Sequence, residues 1–232
     1  MTTGLIIAAR YNSSRLPGKV LLPIGARPLL GRVVDRVRRV GGGHPIVIAT
    51  SDRETDDPIA DFARGEDVDV FRGALDDVAG RMLACAREHG FARFARICGD
   101  RPFLDPGLIE TLLERLVADG LDLATNNAKK TFPTGMTTEV IDTQALALAL
   151  AKTDDPRDRE HVTRYFYSHP DDFRIFNLEA VDDSWAGLNL AVDTAEDLER
   201  TRWMTARIDT PACAPIEDVV AQARAWALPP RS

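Results

Sequence analysis

A chain of 232 residues is long enough to bury a sizeable core and is close to the size of one large domain. It carries 29 Lys and Arg against 36 Asp and Glu, a formal net charge of −7, which argues against a general binding surface for nucleic acid or an anionic membrane. The charge is uneven: residues 1–40 hold eight cations against one anion, Asp35, so this head carries +7 and the remaining 192 residues carry −14. A basic head on an acidic body points to a local anion site. Three cysteines, Cys85, Cys98 and Cys213, are odd in number and lack C-x-x-C spacing, which sets aside a disulfide framework and a zinc knuckle and fits a reducing compartment. The longest apolar runs fall short of the roughly 18 to 20 residues of a membrane span, and no basic segment precedes the first of them as in a signal peptide. A soluble, cytoplasmic protein is expected, with neither nucleic acid nor membrane as a partner.

Strands are predicted at 5–9, 46–49, 68–71, 94–98 and 121–125, with segments of helical period between them. This alternation implies crossover units and a mainly parallel sheet. Leu29, Leu30, Val33, Val34, Val37 and Val40 share one helical face, and Gly41-Gly42-Gly43 stops that helix. Arg32, Arg36, Arg38 and Arg39 are expected on its solvated side. A second helix spans 76–89. The third opens with Asp105 as cap and Pro106 in the first position, and Gly120 ends it.

After residue 125 the pattern loosens into a polar loop at 126–137, a short strand at 139–141, helices at 144–151 and 157–167, and strands at 174–178 and 188–192. Thr194-Ala195-Glu196-Asp197 then reads as a capping box that opens another helix. Without repeats or a Pro/Ser-rich linker, residues 1–232 read as one α/β domain with an inserted or appended β element.

The stretch Ala8-Ala9-Arg10-Tyr11-Asn12-Ser13-Ser14-Arg15-Leu16-Pro17-Gly18-Lys19 follows the first strand directly. Ligands of open parallel sheets bind at the carboxyl ends of strands. Three cations, two hydroxyls, an amide and a glycine, with no acidic side chain, suit a triphosphate: Arg forks and backbone amides bind its oxygens and Lys adds a point charge. Neither G-x-G-x-x-G nor a Walker A motif is present, because Gly18-Lys19 is followed by Val20. Asp100 follows the strand at 94–98, where a carboxylate beside a triphosphate suits Mg²⁺ or caps a turn. Asp193 follows 188–192 in the same manner.

These residues carry a family resemblance. The loop from Arg10 to Lys19, with Leu21-Leu22-Pro23-Ile24 and Arg27-Pro28-Leu29-Leu30, resembles the opening of the CTP-dependent cytidylyltransferases: the CMP-KDO synthetases, the CMP-sialic acid synthetases and the spore-coat-polysaccharide type. Phe71-Arg72-Gly73-Ala74-Leu75-Asp76-Asp77-Val78 is similar to the spore-coat group's nucleoside loop, and Gly99-Asp100-Arg101-Pro102 to its metal segment. Arg159-Glu160-His161-Val162-Thr163 and Val192-Asp193-Thr194-Ala195-Glu196-Asp197-Leu198 complete the order.

The resemblance implies a Rossmann-like fold of the nucleotide-diphospho-sugar transferase type, a mainly parallel sheet flanked by helices with a small β/α insertion. It assigns nucleotide binding to about 1–125, and acceptor binding and dimerisation to about 126–190. It further implies transfer of CMP from CTP to an acidic acceptor with release of pyrophosphate, Mg²⁺ as cofactor, and a homodimer. Arg10 and Lys19 would be catalytic. Ala8, Ala9, Asn12, Ser13, Ser14 and Arg15 would join them in nucleotide binding, with Arg72, Gly73 and Asp77 near the ribose and base. Asp100 and Asp193 would hold Mg²⁺. Arg101, Lys129, Glu139 and His161 are the acceptor candidates.

Arg101 stands where the spore-coat group has a small residue, and Thr134 and Thr137 stand where relatives often carry Arg and Asp. With Lys129 and Lys130 just upstream, this hints at a small, strongly anionic acceptor such as a phosphonate or phosphorylated acid, unless the two lysines are a solvated pair. The residues alone leave another NTP open. A non-catalytic nucleotide-binding module has little use for Lys19, Asp100 and Asp193 together, and a glycosyltransferase would show a D-x-D where the chain reads Asp100-Arg101-Pro102.

Overall fold

The computed structural model describes residues 2–226. β1 (Thr2–Ala8) leads through the loop to a small hairpin, β2 (Pro23–Ile24) with β3 (Arg27–Pro28), and then to α1 (Leu29–Val37). β4 (Ile46–Ser51), α2 (Asp57–Gly65), β5 (Asp69–Gly73), α3 (Val78–Glu88), β6 (Phe91–Cys98) and α4 (Pro106–Ala118) continue the alternation. β7 (Leu123–Thr125), β8 (Glu139–Asp142), α5 (Thr143–Ala151), two short helices α6 (Pro156–Glu160) and α7 (Arg164–Ser168), and β9 (Ile175–Asn177) form the looser part. α8 (Ala195–Thr205) and α9 (Ile216–Trp226) follow.

The seven-stranded sheet runs β5-β4-β1-β6-β8-β7-β9, and β8 alone lies antiparallel to its neighbours β6 and β7. The chain leaves β1 toward β4 and β5, then returns to place β6 on the other side of β1. The carboxyl ends of β1 and β6 therefore flank the topological switch point, where a Rossmann-like sheet opens a crevice. Both faces are covered, as a parallel sheet requires. Leu5, Ile7, Ala95 and Ile97 pack with Leu30, Val33, Val37, Leu112 and Leu116 on one face, while Ile6, Val47 and Phe94 pack with Met82, Cys85 and Leu146 on the other. The alternation of Leu5, Ile6 and Ile7 between the two faces is the period of two expected of a strand.

Local signals are realised at several termini. The Asp105 carboxylate accepts the N–H of Leu108 at the start of α4, with Pro106 as first residue. Thr194 and Asp197 form the reciprocal capping box of α8. Gly18 has φ +71°, a left-handed conformation that favours glycine, and its N–H reaches the carbonyl of Tyr11 at 2.8 Å, which folds the loop back on itself.

Three expectations are corrected. Residues 188–192 form no strand beyond a single bridge between Thr134 and Asn189: the Thr134 N–H donates to the Leu188 carbonyl and the Leu190 N–H to the Thr134 carbonyl, but the Val192 N–H turns to the Asp100 carbonyl, so one neighbour does not accompany the whole segment. The predicted helix at 157–167 is broken at His161–Thr163, where Val162 turns into the core and the Thr163 hydroxyl donates to buried Glu139 at 2.6 Å. Arg36 is 1% exposed rather than solvated; its guanidinium donates to the carbonyls of Leu104, Pro211 and Ala214. Burial lowers its pKa to about 10.

Candidate active site

The loop after β1, the turn after β6 and the segment before α8 meet around a cavity of about 290 Å³ at the switch point. Ala8, Ala9, Arg10, Ser13, Ser14 and Arg15 line one side, Asp100 and Asp193 another, and His161 and Glu160 a third. Lys19 lies at the centre. It opens a single helical turn, is 7% exposed, and its ammonium donates to Asp100 Oδ2 at 2.7 Å, Asp193 Oδ1 at 2.8 Å and the Val192 carbonyl at 2.8 Å. All three ammonium protons are thereby used. Burial disfavours the charge, but Asp100 and Asp193 outweigh it and hold the Lys19 pKa above the ordinary lysine value. Arg15, largely exposed, pairs with the other oxygen of Asp193 at 2.9 Å.

The loop is anchored from below by a residue with no earlier assignment. Asp56 is 1% exposed; its Oδ1 accepts the Tyr11 N–H at 2.7 Å, and its Oδ2 accepts the Ser51 N–H and the hydroxyls of Thr50 and Ser51. Burial pushes this carboxyl up, and the four donors more than offset it, leaving its pKa below the ordinary value. Gly135 fixes the opposite side. It has φ +100°, and a Cβ there would lie 2.6 Å from the backbone of Leu190 and Ala191, two residues before Asp193.

Two further arginines line the cavity, Arg81 buried and Arg96 half-buried. Arg81 of α3 is 4% exposed and donates to the carbonyls of Ala74 and Leu75, holding the 74–77 loop. Arg96, in the middle of β6, pairs with Glu139 at 2.6 Å and lies on the wall shared with a second cavity of about 290 Å³ that includes Asn127, His161, Arg164 and Tyr167. Glu139 is 3% exposed and also accepts the hydroxyls of Thr163 and Tyr167. Burial would raise its pKa, yet Arg96 and the two hydroxyls keep it below the ordinary value. A cation within a central strand was a readable signal: burial of Arg requires a partner.

The structure thus brings together Arg10, Ser13, Ser14, Arg15, Lys19, Asp100, Asp193 and His161. It does not bring every candidate to this cavity. Asn12 is exposed outside it, and Arg72 donates to the carbonyls of Ser51 and Arg53 while pairing with Asp57. Gly73 ends β5 and packs against Arg81, and Asp77 caps α3 and lines a neighbouring depression with Arg53 and Asp52. Arg101 donates to the carbonyl and hydroxyl of Thr137, and Lys129 pairs with Glu179 at 2.7 Å on the surface. Glu139 reaches the second cavity as the partner of Arg96.

Among the described residues, no group of three or more His, Cys, Asp and Glu is arranged to hold a metal. Asp100 and Asp193 nevertheless converge on one cation, the Lys19 ammonium. Two hard carboxylates at one point fit Mg²⁺, an ion that takes one or two protein carboxylates and completes its shell with phosphate and water.

A family model described as cytidylyltransferase matches residues 5–209. The chain belongs to the cytidylyltransferase family. It is therefore a CTP-dependent nucleotidyltransferase with the Rossmann-like fold described above. The spore coat polysaccharide biosynthesis protein SpsF of Bacillus subtilis is 35% identical over 201 residues, 84% of this chain and 82% of that protein. The 3-deoxy-manno-octulosonate cytidylyltransferase of Aeromonas salmonicida is 29% identical over 170 residues, 69% of this chain and 65% of that one. A cytidylyltransferase structure from Leptospira borgpetersenii superposes with a TM-score of 0.92 at 25% identity, covering 98% of this chain and 96% of that one. No helix among the described residues is long and apolar enough to cross a membrane.

Proposed function

We propose that this cytidylyltransferase transfers CMP from CTP, with Mg²⁺, to a small acidic acceptor and releases pyrophosphate. The observation that carries the reading is the convergence of the donor-rich loop, with Arg10, Arg15 and Lys19, and the two carboxylates Asp100 and Asp193 on one cavity at the switch point. Arg10 and Arg15, with Ser13, Ser14 and the loop amides, would hold the triphosphate by charge-assisted hydrogen bonds. Asp100 and Asp193 would hold Mg²⁺, which when bound polarises the reacting phosphate and lowers the charge the acceptor oxygen must approach. Displacement at phosphorus is in line, so this chain contributes position and charge rather than a covalent intermediate. Lys19 supplies the positive charge beside the reacting phosphate.

The acceptor would enter past His161, which borders both cavities, and Arg96 is a half-buried cation on the shared wall. An ulosonic acid or a small phosphonate or phosphorylated acid fits that polarity. The name of the Aeromonas relative supports the former. Pairing of two copies through the α6 and α7 segment, and residence in the cytoplasm, belong to the same proposal. The free thiols of Cys85, Cys98 and Cys213 suit that compartment.

Pyrophosphate release from CTP and Mg²⁺ across a panel of ulosonic acids and phosphonates tests the assignment. Turnover with at least one acid is expected, and no turnover with any would overturn it. Calorimetry with CTP, UTP, GTP and ATP should rank CTP first, and another order would remove the cytidylyl reading.

A further inference from the structure

Asp100 and Asp193 are set for an ammonium. The Lys19 nitrogen stands 2.7 Å from one carboxylate oxygen and 2.8 Å from the other, and its third proton is taken by the Val192 carbonyl at 2.8 Å. Mg²⁺ binds oxygens at about 2.0 to 2.1 Å, shorter than the ammonium distances seen here, so a metal held by these two oxygens would compete with Lys19 for them. An ammonium and a divalent ion sharing those lone pairs would repel each other at short range. Lys19 cannot simply be pushed into water either: it is 7% exposed and rooted in the turn after Gly18. It needs another acceptor inside the cavity, and a triphosphate held by Arg10, Arg15, Ser13 and Ser14 places phosphate oxygens there.

We infer that Lys19 is an exchangeable internal cation that closes the carboxylate pair in the free enzyme, so that a divalent ion binds only with the nucleotide. In the nucleotide-free protein the side chain neutralises Asp100 and Asp193 and keeps them together. When the triphosphate arrives, the ammonium exchanges carboxylate oxygens for phosphate oxygens, and the two carboxylates are released to the metal that accompanies the nucleotide. The apparent affinity of the free enzyme for a metal is then lowered by the fraction of molecules in which Lys19 has left the pair. This inference rests on the metal role proposed above for Asp100 and Asp193.

Equilibrium dialysis with Mn²⁺ as the probe, read by the electron paramagnetic resonance of the free ion, tests it without turnover. Nucleotide-free wild-type protein should bind Mn²⁺ weakly, and Lys19→Met without nucleotide should bind it at least about tenfold more tightly, since its competitor for the two oxygens is gone. Arg15→Met, which removes a cation from the outer oxygen of Asp193 but leaves Lys19 in place, should gain less than Lys19→Met. If Lys19→Met does not fold, Lys19→Gln carries the same expectation. Tight binding by the nucleotide-free wild type, or no gain in the Lys19 variants, overturns the proposal. A gain in Lys19→Met that Asp100→Asn does not abolish would place the ion elsewhere and also overturn it. Turnover of CTP by the wild type is measured separately, so failure of the exchange and failure of the assigned reaction are distinguishable.

Discussion

The carboxylate of Asp56 accepts the backbone N–H of Tyr11 at 2.7 Å, which ties the short turn after β4 to the loop that carries Arg10, Ser13, Ser14 and Arg15. Neither group touches the cavity, yet this bond sets where the loop starts. Asp56→Asn keeps the shape and loses two acceptor lone pairs for buried donors, so it should cost about 2 kcal/mol. Its kinetic mark should be a raised KM for CTP with a smaller change in kcat.

The same residue gives a pH dependence whose sign is fixed. Its folded pKa lies below the ordinary value, so its stabilisation is complete above about pH 4 and is lost as the pH falls through the folded pKa. Denaturant melts from pH 7 to pH 2.5 should show the gap between wild type and Asp56→Asn shrinking only below about pH 4. A constant gap would show that the charge of Asp56 contributes nothing.

Asp100→Asn should retain the fold, since the residue is partly exposed at a strand end, and should lose about 100-fold or more in kcat/KM. Thermal melting checks the first statement and pyrophosphate release the second. Full activity in a folded variant would remove Asp100 from the metal pair.

Glu139→Gln tests the buried pair behind the second cavity. Removing the buried acid of this ion pair strands the half-buried Arg96 charge and two hydroxyl donors, at a cost of about 3 kcal/mol. At this chain length that lowers Tm by about 10 °C. Leaving out the charge on both sides, as in Arg96→Met with Glu139→Gln, should recover part of the loss, which a double-mutant cycle would show.

Arg36→Met leaves the carbonyls of Leu104, Pro211 and Ala214 without their donor. A loss of about 2 to 3 kcal/mol is expected. Limited proteolysis should then cut first near residues 207–215, the segment that Arg36 holds against α1.

What could be read in the sequence follows from which forces act locally. The central strands, the α4 and α8 caps and the loop chemistry were legible because apolar period, Asp105, Pro106 and the Thr194 box act within a few residues. Arg36 misled because helix arginines are usually solvated. Its position, three after Val33 and four before Val40, places it on the apolar face, and only the later chain supplies its carbonyls. α2 was missed although Ile59, Ala60 and Ala63 form its buried face, since nine residues give a short pattern. The hairpin of β2 and β3 has two-residue strands, too brief for any period. Asp56 and Arg81 were invisible as site residues for another reason: each matters through a partner or a loop it holds, and no local spacing encodes that.

The span between Lys19 and Asp193 is 174 residues. A nascent chain that has emerged only as far as Asp100 already holds the donor-rich loop and one carboxylate, but the second carboxylate arrives nearly a hundred residues later, on a segment pinned by Gly135 and the Val192 bond to Asp100. The site is therefore completed late in synthesis, and a truncated product released before residue 193 would hold Lys19 against a single acid, and on the roles proposed for Asp100 and Asp193 it would be inactive.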